Sequence, residues 1–200
     1  MDIKYVDYFI TDNKKHVKNI YYNSFNKLER FPFWILKKCA KENNIEFNAI
    51  LNNSTIIGIE YVVKYDNVAY LMYLAIDKTK RNNGYGSKVL LDLSKKYKTI
   101  ILSIERAYNN IKDEKLHRKE FYLRNGFYST NICLYDNGVE YEILTNNENY
   151  NITKEVLKKR YIKMTNSKLI KFVISKIFNV NNIHLKNKEQ LGDRIFWHQR

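Results

Sequence analysis

Apolar residues run along this chain in two rhythms. Residues 45–52 (IEFNAILN), 55–65 (TIIGIEYVVKY) and 68–76 (VAYLMYLAI) are strand-like runs, separated by Asn52-Asn53-Ser54 and Asp66-Asn67. Apolar runs bounded by such turn residues predict three consecutive strands. Elsewhere the spacing is helical. Val17, Ile20, Tyr21 and Phe25 share one face of 14–25, Phe31-Pro32 breaks that pattern, and a second helix is predicted over 33–43. Strand 99–105 lies between helices predicted at 85–97 and 113–125, and a first strand is read at 2–10. Strands 128–135 and 139–145 flank Asp136-Asn137-Gly138, a hairpin turn. The order βααβββαβαββ predicts an α+β chain: an α/β mixed sheet with helices on both faces.

After residue 146 the pattern changes. Helices are predicted over 153–163 and 167–178, making 147–200 a helical extension of a 1–146 domain. The second helix places Leu169, Phe172, Val173 and Ile177 on one stripe, widened by Ile170, Ile174 and Phe178 and interrupted by Lys168, Lys171 and Lys176. The net charge is +14, and residues 147–200 hold twelve Lys/Arg against four Asp/Glu, so +8 sits in the extension and +6 in the first 146 residues. Such a basic segment suits nucleic acid, the ribosome or an anionic membrane. Its apolar stripe instead predicts packing on the chain's own core or on a second copy, as in a homodimer, and this reading is preferred.

Composition narrows the class. A hydrophobic content of 44% suffices for a buried core, which excludes global disorder. Cys39 and Cys133 match no metal or redox motif, and His16, His117, His184 and His198 show no metal spacing. No basic start with an apolar segment opens the chain, and no apolar run approaches about 18 residues. A reducing cytoplasm is the expected setting.

One stretch carries chemistry. Arg81-Asn82-Asn83-Gly84-Tyr85-Gly86 follows the apolar strand and opens the helix at 85–97. A glycine loop lets backbone approach an anion, and the free N–H groups of the first helical turn point at it. A dinucleotide fingerprint would need a third glycine where Val89 stands, and a P-loop would need Lys then Ser/Thr where Ser87-Lys88 stand. What the loop resembles, as Arg-x-x-Gly-x-Gly after Leu74-Ala75-Ile76, is the acetyl-CoA pyrophosphate loop of the GNAT family of N-acetyltransferases. Phe121-Tyr122-Leu123-Arg124-Asn125-Gly126-Phe127 is similar to that family's helix-end signature, and the two blocks stand in the family's order.

The resemblance covers roughly residues 1–146 and implies the acyl-CoA N-acyltransferase fold, a mostly antiparallel sheet of about seven strands flanked by helices. It also implies that the strand before the glycine loop and the next strand splay apart to admit the pantetheine arm. The implied cofactor is acetyl-CoA, and the implied reaction is acetyl transfer to a primary amine, small-molecule or peptide, by direct attack in a ternary complex. The implied cofactor contacts are Leu74, Ala75, Ile76, Arg81, Asn83, Gly84, Tyr85, Gly86 and Ser87. The alternative is an acetyl-CoA-binding module that docks through its basic tail.

Transfer to an amine needs a proton donor for the leaving thiol and a base for the amine. The resemblance assigns the donor to Tyr122. Leu102-Ser103-Ile104-Glu105 resembles the strand-end Leu-x-x-Glu of ribosomal-protein N-acetyltransferases, which makes Glu105 the candidate base and Glu60 the runner-up. The base position of histone-type members holds Tyr70 here. The segment after Glu105 is longer than in the ribosomal-protein enzymes, so their cofactor-binding Asn has no clear counterpart, Asn110 being the one candidate. On the acceptor side the resemblance points to Phe31, Pro32, Phe33 and Trp34. No metal is implied.

Overall fold

The computed structural model describes residues 2–107, 114–136, 138–178 and 184–187. Among these residues eight strands form one sheet: β1 (Ile3–Asp7), β2 (Ile45–Asn52), β3 (Thr55–Tyr65), β4 (Val68–Ile76), β5 (Thr99–Glu105), β6 (Tyr128–Asp136), β7 (Val139–Thr145) and β8 (His184–Asn187). Their order across the sheet is β1-β2-β3-β4-β5-β7-β6-β8. Every pairing is antiparallel except β4 with β5. The helices are α1 (Lys14–Ser24), α2 (Phe33–Cys39), α3 (Tyr85–Lys96), α4 (Glu114–Arg124), α5 (Lys154–Ile162) and α6 (Lys168–Phe178).

The turns behave as their residues dictate. Asn53 (φ 54°) and Asp66 (φ 49°) take the left-handed conformation between β2, β3 and β4, one that Asn and Asp tolerate better than other side chains. β1 stops at Asp7 rather than residue 10, because the Asp7 carboxylate and carbonyl accept the N–H groups of Phe9, Ile10 and Thr11 and close a turn. Asn13 caps α1 by accepting the His16 N–H, and Val17, Ile20 and Tyr21 form its buried face. α2 ends at Cys39, short of the predicted residue 43. A turn follows in which Glu42 N–H reaches the Cys39 carbonyl and Ile45 N–H reaches that of Glu42.

Two hydrophobic clusters divide between the faces of the sheet. One unites α1, α2, α5 and α6 with Phe47, Tyr61, Tyr70, Tyr73, Ile101 and Ile143. The other unites α3 and α4 with Ile57, Ala69, Leu71, Ile100, Leu102 and Ile104. Alternation along β4 and β5 thus sends Tyr70 and Ile101 to the first face, Leu71 and Leu102 to the second.

The extension is built into this body. Leu157, Tyr161, Met164 and Ile174 are buried in the first cluster, and β8 pairs with β6 as an added strand that the purely helical expectation lacks. Polar contacts reinforce the packing. Glu42 accepts from Asn166 N–H (2.9 Å) and Asn166 Nδ2 (2.8 Å), Asn44 Nδ2 donates to the Lys163 carbonyl (2.6 Å), and Lys159 pairs with Asp66 (2.6 Å). The predicted α6 stripe needs correction. Ile170 and Ile174 face the core, whereas Leu169 and Phe172 are 73% and 59% exposed. With apolar residues over more than half of the helix, periodicity alone does not select the buried side. The Ile177 and Phe178 side chains, Asn110, Asn137 and His198 lie outside the described residues.

Candidate active site

The β4–β5 ladder ends early. Val68, Ala69 and Tyr70 pair with Thr99, Ile100 and Ile101, after which the two strands part. β4 stays on β3 as far as Ile76, and β5 stays on β7 as far as Glu105, so a wedge opens between them. The register with β3 jumps from Tyr73 to Leu71, leaving Met72 as a bulge at the point of divergence. The Tyr70 hydroxyl hydrogen-bonds the Ser103 hydroxyl across the apex.

A cleft of about 900 Å³ occupies the wedge. Its lining includes Leu71 and Tyr122 from the α3/α4 face and Phe31, Tyr70 and Tyr161 from the α1/α2/α5 face, so it passes through the sheet. At one end stands the glycine loop. Asp77 caps a 3-10 turn (Lys78–Lys80) by accepting Thr79 N–H at 2.9 Å, and Asn82 (φ 63°) and Gly84 (φ 75°) turn the chain into α3. The first N–H groups of α3 have no partners within the helix. Gly86 lies where a Cβ would meet the Phe121 ring at 2.9 Å, so this turn presents bare backbone.

Leu74, Ala75, Ile76, Arg81, Gly84, Tyr85, Gly86 and Ser87 all line the cleft, joined by Lys80 and Asn82. Arg81 Nε donates to the Ile76 carbonyl (3.1 Å), tying the loop to the end of β4. The Asn83 side chain turns away and donates to the Lys80 and Arg81 carbonyls (3.1 and 2.9 Å), shaping the loop.

Tyr122 lines the middle of the cleft from α4. Burial pushes its phenol up to about 12, with Arg118 opposing, and its hydroxyl makes no hydrogen bond among the described residues. It is a neutral O–H group throughout the physiological range.

The opposite face supplies the other end. Tyr73 donates to the Glu29 carbonyl (2.9 Å) and accepts the Phe31 N–H (3.2 Å), while Tyr21 donates to the Phe31 carbonyl (2.9 Å). These two phenols hold the α1–α2 connection over the wedge. Glu29 and Phe31 thereby line the cleft, whereas Phe33 packs into the core against Tyr8 and Phe47, and Trp34 is 52% exposed. Burial raises the Glu29 carboxyl above its usual range, and neighbouring Glu105 adds to the effect. Arg118 stands 4.0 Å from Glu29, and Lys115 stands 3.3 Å from Glu105. Glu105 itself does not line the cleft; it lies behind Glu29, close enough to raise that carboxyl. Glu60 is elsewhere: buried on β3, it accepts from Asn48 (2.9 Å) and does not reach the cleft.

Sequence reasoning missed Glu29, Ser103, Arg118 and Arg160, all of which line the cleft. Glu29 lies in an irregular connection and Arg160 in the extension, and neither belongs to a motif. Among the described residues no three His, Cys, Asp or Glu side chains group as a metal site, and no helix is long and apolar enough to cross a membrane.

No protein-family model matches the chain, and no curated protein sequence matches it. Solved structures do. A Bacteroides thetaiotaomicron chain described as an acetyltransferase from the GNAT family superposes with a TM-score of 0.60 at 19% identity, covering 81% of this chain and 95% of that one. An aminoglycoside 6'-N-acetyltransferase complexed with coenzyme A gives 0.57 at 13%, covering 76% and 100%. Arabidopsis thaliana Naa50, in complex with the bisubstrate analogue CoA-Ac-MVNAL, gives 0.53 at 19%, covering 74% and 99%. At these identities the likeness is one of fold: the chain has the fold of the GNAT acetyltransferases.

Proposed function

We propose that this chain, with its GNAT fold, is an acetyl-CoA-dependent N-acetyltransferase that acts on a primary amine by direct attack in a ternary complex. The observation that carries the proposal is the cleft through the sheet, with a basic glycine loop at one end and a carboxylate-bearing aromatic chamber at the other. The residues fit the cofactor. The parted edges of β4 and β5 offer backbone groups beside Leu74, Ala75 and Ile76. Gly84 and Gly86 open the α3 N-terminus to a pyrophosphate, with Arg81 and Lys80 beside it and Tyr85 and Ser87 in the first turn. Asn83 holds the loop in shape.

When bound, acetyl-CoA supplies a thioester carbonyl that an amine attacks, releasing the thiol. Tyr122 donates its Oη proton to the departing sulfur, a role that suits a phenol kept neutral by burial. Glu29 takes the proton lost by the amine nitrogen, with Glu105 behind it to keep a negative charge at this end of the cleft. Tyr122 and Glu29 stand on opposite faces of the sheet, so the two proton transfers, and with them donor and acceptor, come from opposite sides. The packing of α5 and α6 into the core favours this reading over the alternative of an acetyl-CoA-binding module that docks through its basic tail.

The test is the thermal midpoint with and without acetyl-CoA, for the natural chain and for Arg81→Ala. Ligand at 100 times its Kd adds about 2.7 kcal/mol. For a chain of this size that is a rise of roughly 5–10 °C. The rise is expected to shrink in the variant. No rise in folded protein freed of coenzyme A would overturn the proposal.

A further inference from the structure

Arg160 belongs to α5, outside the part of the chain that the two motifs cover, yet its side chain lines the cleft. Only 3% exposed, it stacks over Tyr70 (4.9 Å to the ring centroid) and Tyr161 (4.4 Å), and its Nη2 donates to the Tyr161 hydroxyl (2.9 Å). Tyr161 in turn packs on Phe31 (6.0 Å between centroids), which lies two residues beyond Glu29. The acceptor end is therefore an aromatic chamber of Phe31, Tyr70 and Tyr161 with a permanent cation set in one wall and the Glu29 carboxylate in another, Glu105 lying behind it. Walls of opposite sign suit a ligand that carries both charges, since complementary potentials select partners and penalise mismatched ones. A guanidinium's planar fork matches a carboxylate.

We propose that the acceptor is an amino acid-like molecule whose carboxylate is recognised by Arg160 while its amine faces Glu29. This deepens the acetyltransferase reading and rests on it. Arg160 is a specificity residue of the acceptor end, and a simple monoamine or polyamine lacks the group it reads. The whole cleft, about 900 Å³, must also take the cofactor arm, which favours a small acceptor.

The test uses amine pairs that differ only by a carboxylate: phenylalanine with phenethylamine, tyrosine with tyramine, and lysine with cadaverine. Each is titrated calorimetrically into the full chain saturated with coenzyme A, and each is assayed for acetyl transfer. The carboxylate-bearing member of at least one pair is expected to bind about tenfold tighter or more, with a matching gain in kcat/KM. Arg160→Met should bring that ratio close to one by weakening only the carboxylate-bearing member. Arg160→Lys, which keeps the charge but not the fork, should retain part of it and guards against mere misfolding of the Met variant. Equal or better binding of the decarboxylated members, no binding by either member of any pair, or a ratio unmoved by Arg160→Met would each overturn the inference. Acetyl-CoA stabilisation, measured first, separates this failure from failure of the acetyltransferase reading.

Discussion

Gly58→Ala tests whether the wall of the cofactor cleft is as tightly fixed as its packing implies. Gly58 lies on β3 opposite Ile76, and its backbone is compatible with a side chain, since its φ is not positive. Its surroundings are not compatible. A Cβ there would stand 2.6 Å from the Ala75 carbonyl oxygen, 2.9 Å from Ile76 Cδ1 and 3.4 Å from Ile50 Cδ1. The closest atom is backbone, on the strand segment that lines the cleft, so β4 must retreat by about half an ångström or β3 must bow. Overpacking of this kind costs about 1–3 kcal/mol. Loss of glycine's freedom in the unfolded chain returns about 0.4–1 kcal/mol. A net loss of roughly 1–2 kcal/mol follows, or a midpoint lower by roughly 2–8 °C at this chain length. The second readout is the acetyl-CoA-induced rise, which should shrink because Ala75 has moved. A midpoint unchanged or raised, together with a full acetyl-CoA response, would show that β4 gives way at no cost and refute the reasoning.

Three further expectations concern the polar groups. Tyr122→Phe should reduce acetyl transfer by about 10²–10⁴-fold while leaving the midpoint nearly unchanged, because the lost hydroxyl makes no hydrogen bond among the described residues; a rate within twofold would reassign Tyr122 to packing. Glu29→Gln should lower turnover more than Glu105→Gln does, and Glu29 should set a rise of rate with pH above the ordinary carboxylate range; the reverse ranking would move the base to Glu105. Burial lifts the Glu60 carboxyl from 4.5 to about 7, so the folded state holds this proton more tightly than the unfolded one. The resulting stabilisation is full below about pH 4.5 and is lost as pH rises through about 7, on the order of 3 kcal/mol in all. Denaturant titrations from pH 5 to 8 should show this decline in the natural chain and not in Glu60→Gln, and parallel pH profiles for the two would contradict it.

The parts of the fold read most cleanly from sequence are those whose determinants are local. β2, β3, β4, β5 and β7 form over the predicted residues because their apolar runs end at turn formers such as Asn53 and Asp66. The glycine loop was legible for the same reason, since Arg81 to Ser87 holds its signal in seven consecutive positions. The wedge itself was known only through resemblance, as no pattern in 68–76 or 99–105 records where a ladder stops. β8 was invisible: His184–Asn187 is short and mixed in polarity, and it becomes a strand by adding to β6. The aromatic end of the cleft was legible only in part, at Phe31, because its members meet only in three dimensions. Phe31 reaches the cleft and Trp34 does not: Tyr21 and Tyr73 fix the connection that carries Phe31 by donating to the Phe31 and Glu29 carbonyls, and Tyr73 also accepts the Phe31 N–H.

The extension's place in the wall has a consequence for how the molecule is assembled. The cofactor end is drawn from one stretch, β4 through α4, and its contacts span modest distances along the chain. The aromatic chamber at the other end joins Phe31 to Tyr161, residues 130 positions apart. On a growing polypeptide the first end has all its parts well before the second, which must wait for α5 to emerge and fold back onto β3 and Phe31. Closing so long a loop carries an entropic cost that the burial of Leu157, Tyr161 and Met164 helps to offset. A chain interrupted after β7 would thus hold every residue of the cofactor loop while lacking one wall of the room into which it opens.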